Sequence, residues 1–220
     1  MRLAVVIPAH NEEKNIREVI LGVKKYTNNI IIVDDGSKDN TYLMAKEAAN
    51  DILVLRHKIN LGKGATVKTG CEAALKLGAE AIGIMDADGQ HLPEDVMKLV
   101  EKLEKEDLDI VFGVRAINKK MPVLTFLGNR FLTKMSNLLS GLSLADTQSG
   151  LKVFRASVYQ KIAWQASDYS LETEIIIRTS KKKLKYSQLP IQTIYKDAYK
   201  GMNVLDGIKY FFNLLKQKFL

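Results

Sequence analysis

Cysteine is nearly absent from the 220 residues: there is one, Cys71, with no partner for an internal disulfide. It sits in the apolar-periodic stretch GKGATVKTGCEAALKLG, as a buried structural thiol would, and a chain without disulfides suits a reducing compartment. Histidine is scarce too, and His10, His57 and His91 stand at intervals that fit no zinc site. No apolar run approaches the roughly 18 to 20 residues that span a bilayer. The start, MRLAVVIPAHNEE, turns polar after Ala9, too early for a secretory signal, so a cytoplasmic protein is expected. Also missing are G-x-S-x-G and any Ser, His, Asp succession of a hydrolase type.

What is present is enough for one substantial core: 46% of the residues are hydrophobic. The net charge of +8 favours an anionic partner, whether nucleic acid, nucleotide, phospholipid or phosphorylated substrate, and equally describes a solvated basic surface. Charge alone does not choose among these.

From residue 3 to about 115, strand-length runs rich in Val and Ile alternate with helical stretches. LAVVIP, NIIIVDD, DILVLRH, EAIGIMDAD and LDIVFGVR are of the kind buried on both faces of a parallel sheet. EEKNIREVILGVKKY, DNTYLMAKEAAN, GKGATVKTGCEAALKLG and PEDVMKLVEKLEKED carry apolar residues at three- and four-residue spacing. That pattern predicts an α/β chain with a Rossmann-like, doubly wound open sheet, whose ligands bind beyond the carboxyl ends of the strands. Residues 117–145 read as one or two amphipathic helices. GLKVFR and KYSQLPIQTIY read as strands around the helix SLETEIIIRTSKKK, and VLDGIKYFFNLLKQKF as a terminal amphipathic helix. The expected organisation is one domain over residues 1–200 and an appended helix over 201–220.

The strand ends carry the chemistry. Asp86, Asp88 and Gln90 in DADGQ present hard oxygen ligands at alternate positions of a turn, suited to Mg²⁺ or Mn²⁺ when a diphosphate supplies further oxygens. The plainer reading makes Asp88 a cap for the helix that starts at Pro93. One of Asp34 and Asp35 fits a base or ribose, while Ser37 and Asp39 fit the cap of the next helix. NLGKGA puts two glycines around Lys63 at a strand-to-helix junction, which suits a phosphate or simply makes a turn. It is not a Walker A loop, because His57 stands where a glycine is needed and Gly64 where a Ser or Thr is needed. His91 reads best as a plain helix-start residue.

The succession PAHNEE, DDGSKDNT, NLGKGA, DADGQH, GVR and DTQSGLKVFR resembles family-2 glycosyltransferases of the GT-A fold, within them the dolichyl-phosphate mannose and glucose synthase branch, over residues 3 to about 195. The resemblance implies a mixed sheet flanked by helices and a metal-dependent enzyme using Mg²⁺ or Mn²⁺. It implies a nucleotide-sugar pocket of Pro8, Ala9, Asn11, Glu12, Asp34, Asp35, Gly36, Lys63, Asp86 and Ala87, with metal ligands Asp88 and Gln90. Arg115 and Arg130, with Lys196, correspond to cations for an acceptor phosphate. Asp88, Arg115, Arg130 and Asp146 are the residues expected to carry catalysis, with Ser149 and Gly150 near the sugar and Glu174 a further carboxylate.

The implied reaction is inverting transfer of a hexose from a UDP- or GDP-sugar to a polyprenyl phosphate at the cytoplasmic membrane face, with the protein bound peripherally and no nucleic acid involved. A sugar-hydroxyl acceptor would instead need a base, for which Asp146 and Glu174 are the candidates. A silent nucleotide-sugar-binding protein is the remote alternative. IYKDAYKGMNVL departs from the arginine-containing pattern of many mannose synthases, and Lys196 and Lys200 lack arginine's bidentate fork. The apolar stripe of the last helix serves equally a membrane face or a second copy of the chain, a homo-oligomer.

Overall fold

The computed structural model describes residues 1–115, 123–168 and 170–194. The terminal helix expected over 201–220, with Lys196 and Lys200, lies outside the described residues.

Seven strands form one sheet: β1 (Leu3–Ala9), β2 (Ile30–Asp34), β3 (Leu53–Arg56), β4 (Ala81–Ile84), β5 (Ile110–Arg115), β6 (Lys152–Arg155) and β7 (Tyr186–Ile191), in the order β3-β2-β1-β4-β6-β5-β7. The helices are α1 (Ile16–Lys24), α2 (Thr41–Ala48), α3 (Lys63–Lys76), α4 (Pro93–Lys105), α5 (Val123–Ser140), α6 (Tyr159–Ile162) and α7 (Leu171–Lys181).

The continuous apolar runs follow from a sheet covered on both faces. In β1, Leu3, Val5, Ile7 and Ala9 enter one core cluster while Ala4 and Val6 enter the other. The first cluster is closed by α1, through Ile16, Val19, Ile20 and Val23, and by α4, through Val96, Leu99, Val100 and Leu103. Both sets have the three- and four-residue spacing of one helical face. Val67, Cys71 and Ala74 of α3 and Leu171, Ile175 and Ile176 of α7 close the second. Each such aliphatic side chain contributes about 1.5–3 kcal/mol when fully buried. Cys71 is buried, and burial pushes its thiol well above the usual range, as for an inert core residue.

The sheet is mixed, as the family resemblance implies. β1 runs parallel to β2 and β4, β2 to β3, and β5 to β7, but β6 lies antiparallel between β4 and β5. Arg115 N–H donates to Asp146 and Gly113 N–H to Leu151 O, so the chain after α5 comes back beside the carboxyl end of β5. A strand entering from that end runs backwards through the sheet. Apolar run length carries no direction, so the sequence pattern could not show this. The reversal delivers residues 146–151 to the rim where β1, β2 and β4 also end.

Helix α3 lies close against the sheet at Gly70, where an added Cβ would stand 2.3 Å from Val6 Cγ1 and 3.3 Å from Val33 Cγ2. Alanine raises helix propensity by up to about 1 kcal/mol, but overpacking costs about 1–3 kcal/mol. Gly70→Ala is therefore expected to lower the melting temperature by a few degrees, measured by thermal unfolding; an unchanged or raised midpoint would show that β1 yields freely.

Candidate functional site

The turns after β1 and β2 are joined by polar contacts, which accounts for the paired motifs PAHNEE and DDGSKDNT. Asn11 adopts a left-handed backbone (φ 55°), which asparagine tolerates better than most residues. Its N–H donates to Ser37 Oγ at 2.9 Å and its Oδ1 accepts from Lys38 N–H at 3.0 Å. Glu12 N–H donates to Thr41 Oγ1 at 2.7 Å, and the Glu12 main-chain oxygen starts α1 by accepting from Asn15 and Ile16. Ser37 is thus not the cap of α2; Asn11 occupies its hydroxyl. Asp39 accepts from Thr41 N–H at 3.0 Å, at the first residue of α2, and from Glu13 N–H at 3.2 Å.

Of the two aspartates ending β2, Asp34 is fully buried and turned to Arg56, 3.0 Å away, and Ser37 N–H, 3.3 Å away. That withdraws its side chain from a ligand role. Ala9 and Ala87 turn their side chains into the core, so a ligand would meet them through their main chain. Pro8 lies beside Val33 at the end of β1. Asp35 accepts from Leu61 N–H at 2.9 Å, Gly62 N–H at 2.8 Å and His57 Nδ1 at 2.8 Å, and so fixes the loop that leads to Lys63. Gly36 (φ 63°) has no room for a Cβ, which would stand 2.6 Å from the carbonyl carbon of Ile59.

The glycines of NLGKGA serve packing rather than a phosphate cradle. Gly64 N–H donates to Ser167 O at 2.7 Å, and a Cβ on Gly64 would stand 2.1 Å from Ala166 O. A Cβ on Gly62 would stand 2.3 Å from Ser167 O. The segment between α6 and α7 lies over this loop, fastened by Trp164 Nε1 donating to Gly64 O at 2.8 Å. The amides of residues 61, 62, 64 and 65 therefore all have protein partners. A phosphate here would meet Lys63, not a row of vacant N–H groups.

Lys63 Nζ bridges Asp86 Oδ1 at 2.7 Å and Glu172 Oε1 at 3.0 Å. His91 Nε2 stands 3.7 Å from Asp86 Oδ2. Burial works against charge on Asp86, but the Lys63 ammonium and His91 more than offset it and hold its carboxyl below the usual carboxylate range. On its other side Asp86 presses on Gly150, whose Cβ, if present, would lie 2.0 Å from Asp86 Oδ2. Asp88 does not cap α4, whose N-cap residue is Leu92; its Oδ1 accepts from Gln90 N–H at 2.9 Å. Burial, and then the charge of Asp86, push the Asp88 carboxyl upward. An added positive charge would relieve that.

The donor set fits a divalent ion that arrives with a ligand. Asp88 and Gln90 offer oxygens two residues apart, yet no group of three His, Cys, Asp or Glu among the described residues could hold an ion unaided. Mg²⁺ is commonly held this way, by one or two carboxylates plus phosphate oxygens.

At the β5 end, Arg115 and Asp146 are brought together as a forked pair, with Nε to Oδ2 at 2.6 Å and Nη2 to Oδ1 at 3.1 Å. Burial opposes ionisation of Asp146, and Arg115 overrides it, leaving the carboxyl below its usual range. Such an acid is a poor base. Glu174, the other candidate base, accepts from Gln165 N–H at 2.8 Å and Ala166 N–H at 3.1 Å, and so anchors the segment over α3 instead. Arg130 is exposed on α5, one turn before Thr133, whose hydroxyl accepts from Thr147 N–H at 3.3 Å.

Of three further side chains at the site, one was set aside in the sequence reading and two were not singled out. His91 is buried beside Asp86 rather than a plain helix-start residue. Glu172 is Lys63's second partner. Lys152 is almost completely buried, with Nζ donating to Gly150 O at 3.1 Å. A lysine inside the apolar run GLKVF was the available signal, since charge in a doubly covered strand needs a partner.

Comparison with known proteins shows the family and the fold. The sequence family described as Glycosyl transferase family 2 matches residues 4–163. The UDP-N-acetylglucosamine–dolichyl-phosphate N-acetylglucosaminyltransferase of Methanococcus voltae is 37% identical, over 97% of this chain and 95% of that protein. A dolichyl-phosphate beta-glucosyltransferase of Trichomonas vaginalis is 32% identical, over 97% of this chain and 72% of that one. Among solved structures, glucosyl-3-phosphoglycerate synthase from Mycobacterium tuberculosis, crystallised with Mn²⁺, UDP-glucose and phosphoglyceric acid, superposes with a TM-score of 0.78 at 19% identity, over 99% of this chain and 80% of that one. At that identity the likeness concerns the fold.

The Asp146 pair has a pH signature. Its folded carboxyl is depressed, and an unfolded aspartate titrates near about 3.9. The stabilisation is therefore present above about pH 4 and lost as pH falls through the lower folded value. Asp146→Asn is expected to melt earlier than the wild type at pH 7 and to converge on it below about pH 4; a difference that stays constant into acid would rule the pair out as its source.

Proposed function

The chain belongs to glycosyl transferase family 2, and from that premise we propose that it transfers a sugar from a nucleotide sugar to a dolichyl-type polyprenyl phosphate, with inversion at the anomeric carbon. The observation that carries the choice of acceptor is the engagement of both candidate bases, Asp146 by Arg115 and Glu174 by two main-chain amides. A sugar hydroxyl needs a base to become a nucleophile, whereas a phosphate monoester has a second pKa of about 6 and is already largely ionised at neutrality. The near full-length relative from Methanococcus voltae supports the same acceptor and favours UDP-N-acetylglucosamine as donor. GDP-mannose is the second donor to test, supported by a polyprenol monophosphomannose synthase of Mycolicibacterium smegmatis at 27% identity over 94% of this chain.

In this reading the turns held by Asp35 and Asn11 receive the nucleotide, and Asp86 orients the donor from between Lys63 and Gly150. Arg115, its plane fixed by Asp146, faces the acceptor phosphate together with Arg130. Positioning of two anions in line, with cations at the separating charge, supplies the rate enhancement. A divalent ion on Asp88 and Gln90, when bound with the donor, would neutralise charge on the departing diphosphate.

The outer face of α5 supports a peripheral membrane site. Phe131 and Leu138 are exposed there with Lys134 and Arg130, an apolar and basic surface of the kind that rests on an anionic leaflet. No helix among the described residues is long and apolar enough to cross a membrane. We place the reaction at the cytoplasmic face, in keeping with one buried, unpaired cysteine.

Labelled UDP-N-acetylglucosamine, Mn²⁺ and dolichyl phosphate should give a product extractable into organic solvent, with kcat/KM rising through about pH 6 as the acceptor ionises. Chelation should abolish it, and Asp88→Asn should lower kcat by about 10²-fold or more. Product formed only with a saccharide acceptor would overturn the lipid-phosphate reading.

A further inference from the structure

Beneath the rim, four buried or half-buried charges occupy one patch: the ammonium groups of Lys63 and Lys152 and the carboxylates of Asp86 and Glu172. Formally they sum to zero. Lys63 touches both carboxylates directly. Lys152 reaches the patch from β6, and Glu172 exerts the largest charge interaction upon it. Burial alone would push Lys152 towards neutrality, with Lys63 adding to that, while the Glu172 and Asp86 carboxylates oppose it. Glu172 has one oxygen on Lys63 and the other buried without a hydrogen-bond partner. Such a carboxylate depends on nearby positive charge.

The two residues act on opposite walls of the same slot. Lys152 Nζ holds the carbonyl of Gly150, and Gly150 is the residue whose missing Cβ admits Asp86. Glu172 holds Lys63, which holds the other side of Asp86. We propose that Lys152 and Glu172 are positioning residues for the donor site, two buried charges of opposite sign that fix the two walls, Gly150 and Lys63, between which Asp86 is held. This rests on the nucleotide-sugar reading given above.

Removing one of the four charges leaves a net charge buried in the patch, whereas removing one of each sign keeps it balanced. A role in shape alone predicts the opposite for stability, that two truncations are worse than one. The test uses Lys152→Met, Glu172→Gln and the double variant, with donor KM, kcat and the unfolding midpoint of the ligand-free protein measured for each. Each single variant should raise donor KM by about tenfold or more, in line with loss of orientation, and lower the midpoint. The double variant should melt above both singles, since one charge of each sign has gone, while its donor KM stays raised because neither wall is then held.

Wild-type donor KM in either single variant, or a double-variant midpoint no higher than that of the less stable single, overturns the role. A single variant that fails to fold is decided by the double: recovery of folding supports the charge balance, and continued failure overturns it. A wild-type protein that binds neither UDP- nor GDP-sugars overturns the functional reading and this role with it, an outcome distinct from the others.

Discussion

The site depends on keeping Asp86 ionised in a place that disfavours charge. Lys63 does this at 2.7 Å, and the rest of the fold brings Lys63 and Asp86 to the same point. Lys63 begins α3, and its approach is fixed by Asp35 holding the amides of residues 61 and 62 and by the Ala166–Ser167 segment pressing on Gly62 and Gly64. Asp86 follows β4 and needs a gap on its far side, which Gly150 leaves. Gly150 arrives there because β6 enters the sheet from the rim and runs against its neighbours. A parallel strand at that position would place its preceding loop at the other end of the sheet.

Much of the architecture was legible because burial on both faces of a sheet leaves a strong trace. β1, β2, β4 and β5 are apolar at nearly every position, and α1 and α4 repeat at three and four. Strand direction was not, since Lys152–Arg155 reads the same in either sense. At the rim, residue type located the site but not each partner. Ser37 before a helix looks like a cap, yet its hydroxyl is taken by Asn11, a contact across 26 positions that local pattern does not encode. The glycines of NLGKGA resemble a phosphate loop in composition, while their need for space comes from Ala166 and Ser167, about a hundred residues on. Lys152 was hidden for another reason: within an apolar strand it counted as an interruption, although its ammonium holds the Gly150 carbonyl.

On the proposed reading, the same rim that lacks an available base is suited to an acceptor that needs none. Asp146 is held ionised by Arg115 and braced by Gln148 N–H at 2.9 Å, an arrangement that orients a guanidinium well and removes a proton poorly. Binding an anionic acceptor at a fixed arginine, and letting its own ionisation provide the nucleophile, moves the burden from proton transfer to alignment.

That has a consequence for how the donor's diphosphate is met. A Walker-type loop surrounds phosphate with main-chain N–H groups; here the corresponding amides are already bonded to Asp35 and Ser167. On the proposed reading, charge on the departing nucleotide is left to side chains and to an ion bound with the donor. Lys63 is committed to two carboxylates, so the ion is the part of the balance that can arrive with the substrate. Asp88, pushed upward by burial and by Asp86, is a carboxylate that a bound cation would favour. On this reading the acidic turn and the occupied glycine loop complement each other: the loop amides are spent on rigidity, and the oxygens of Asp88 and Gln90 are left for an ion that would arrive with the donor.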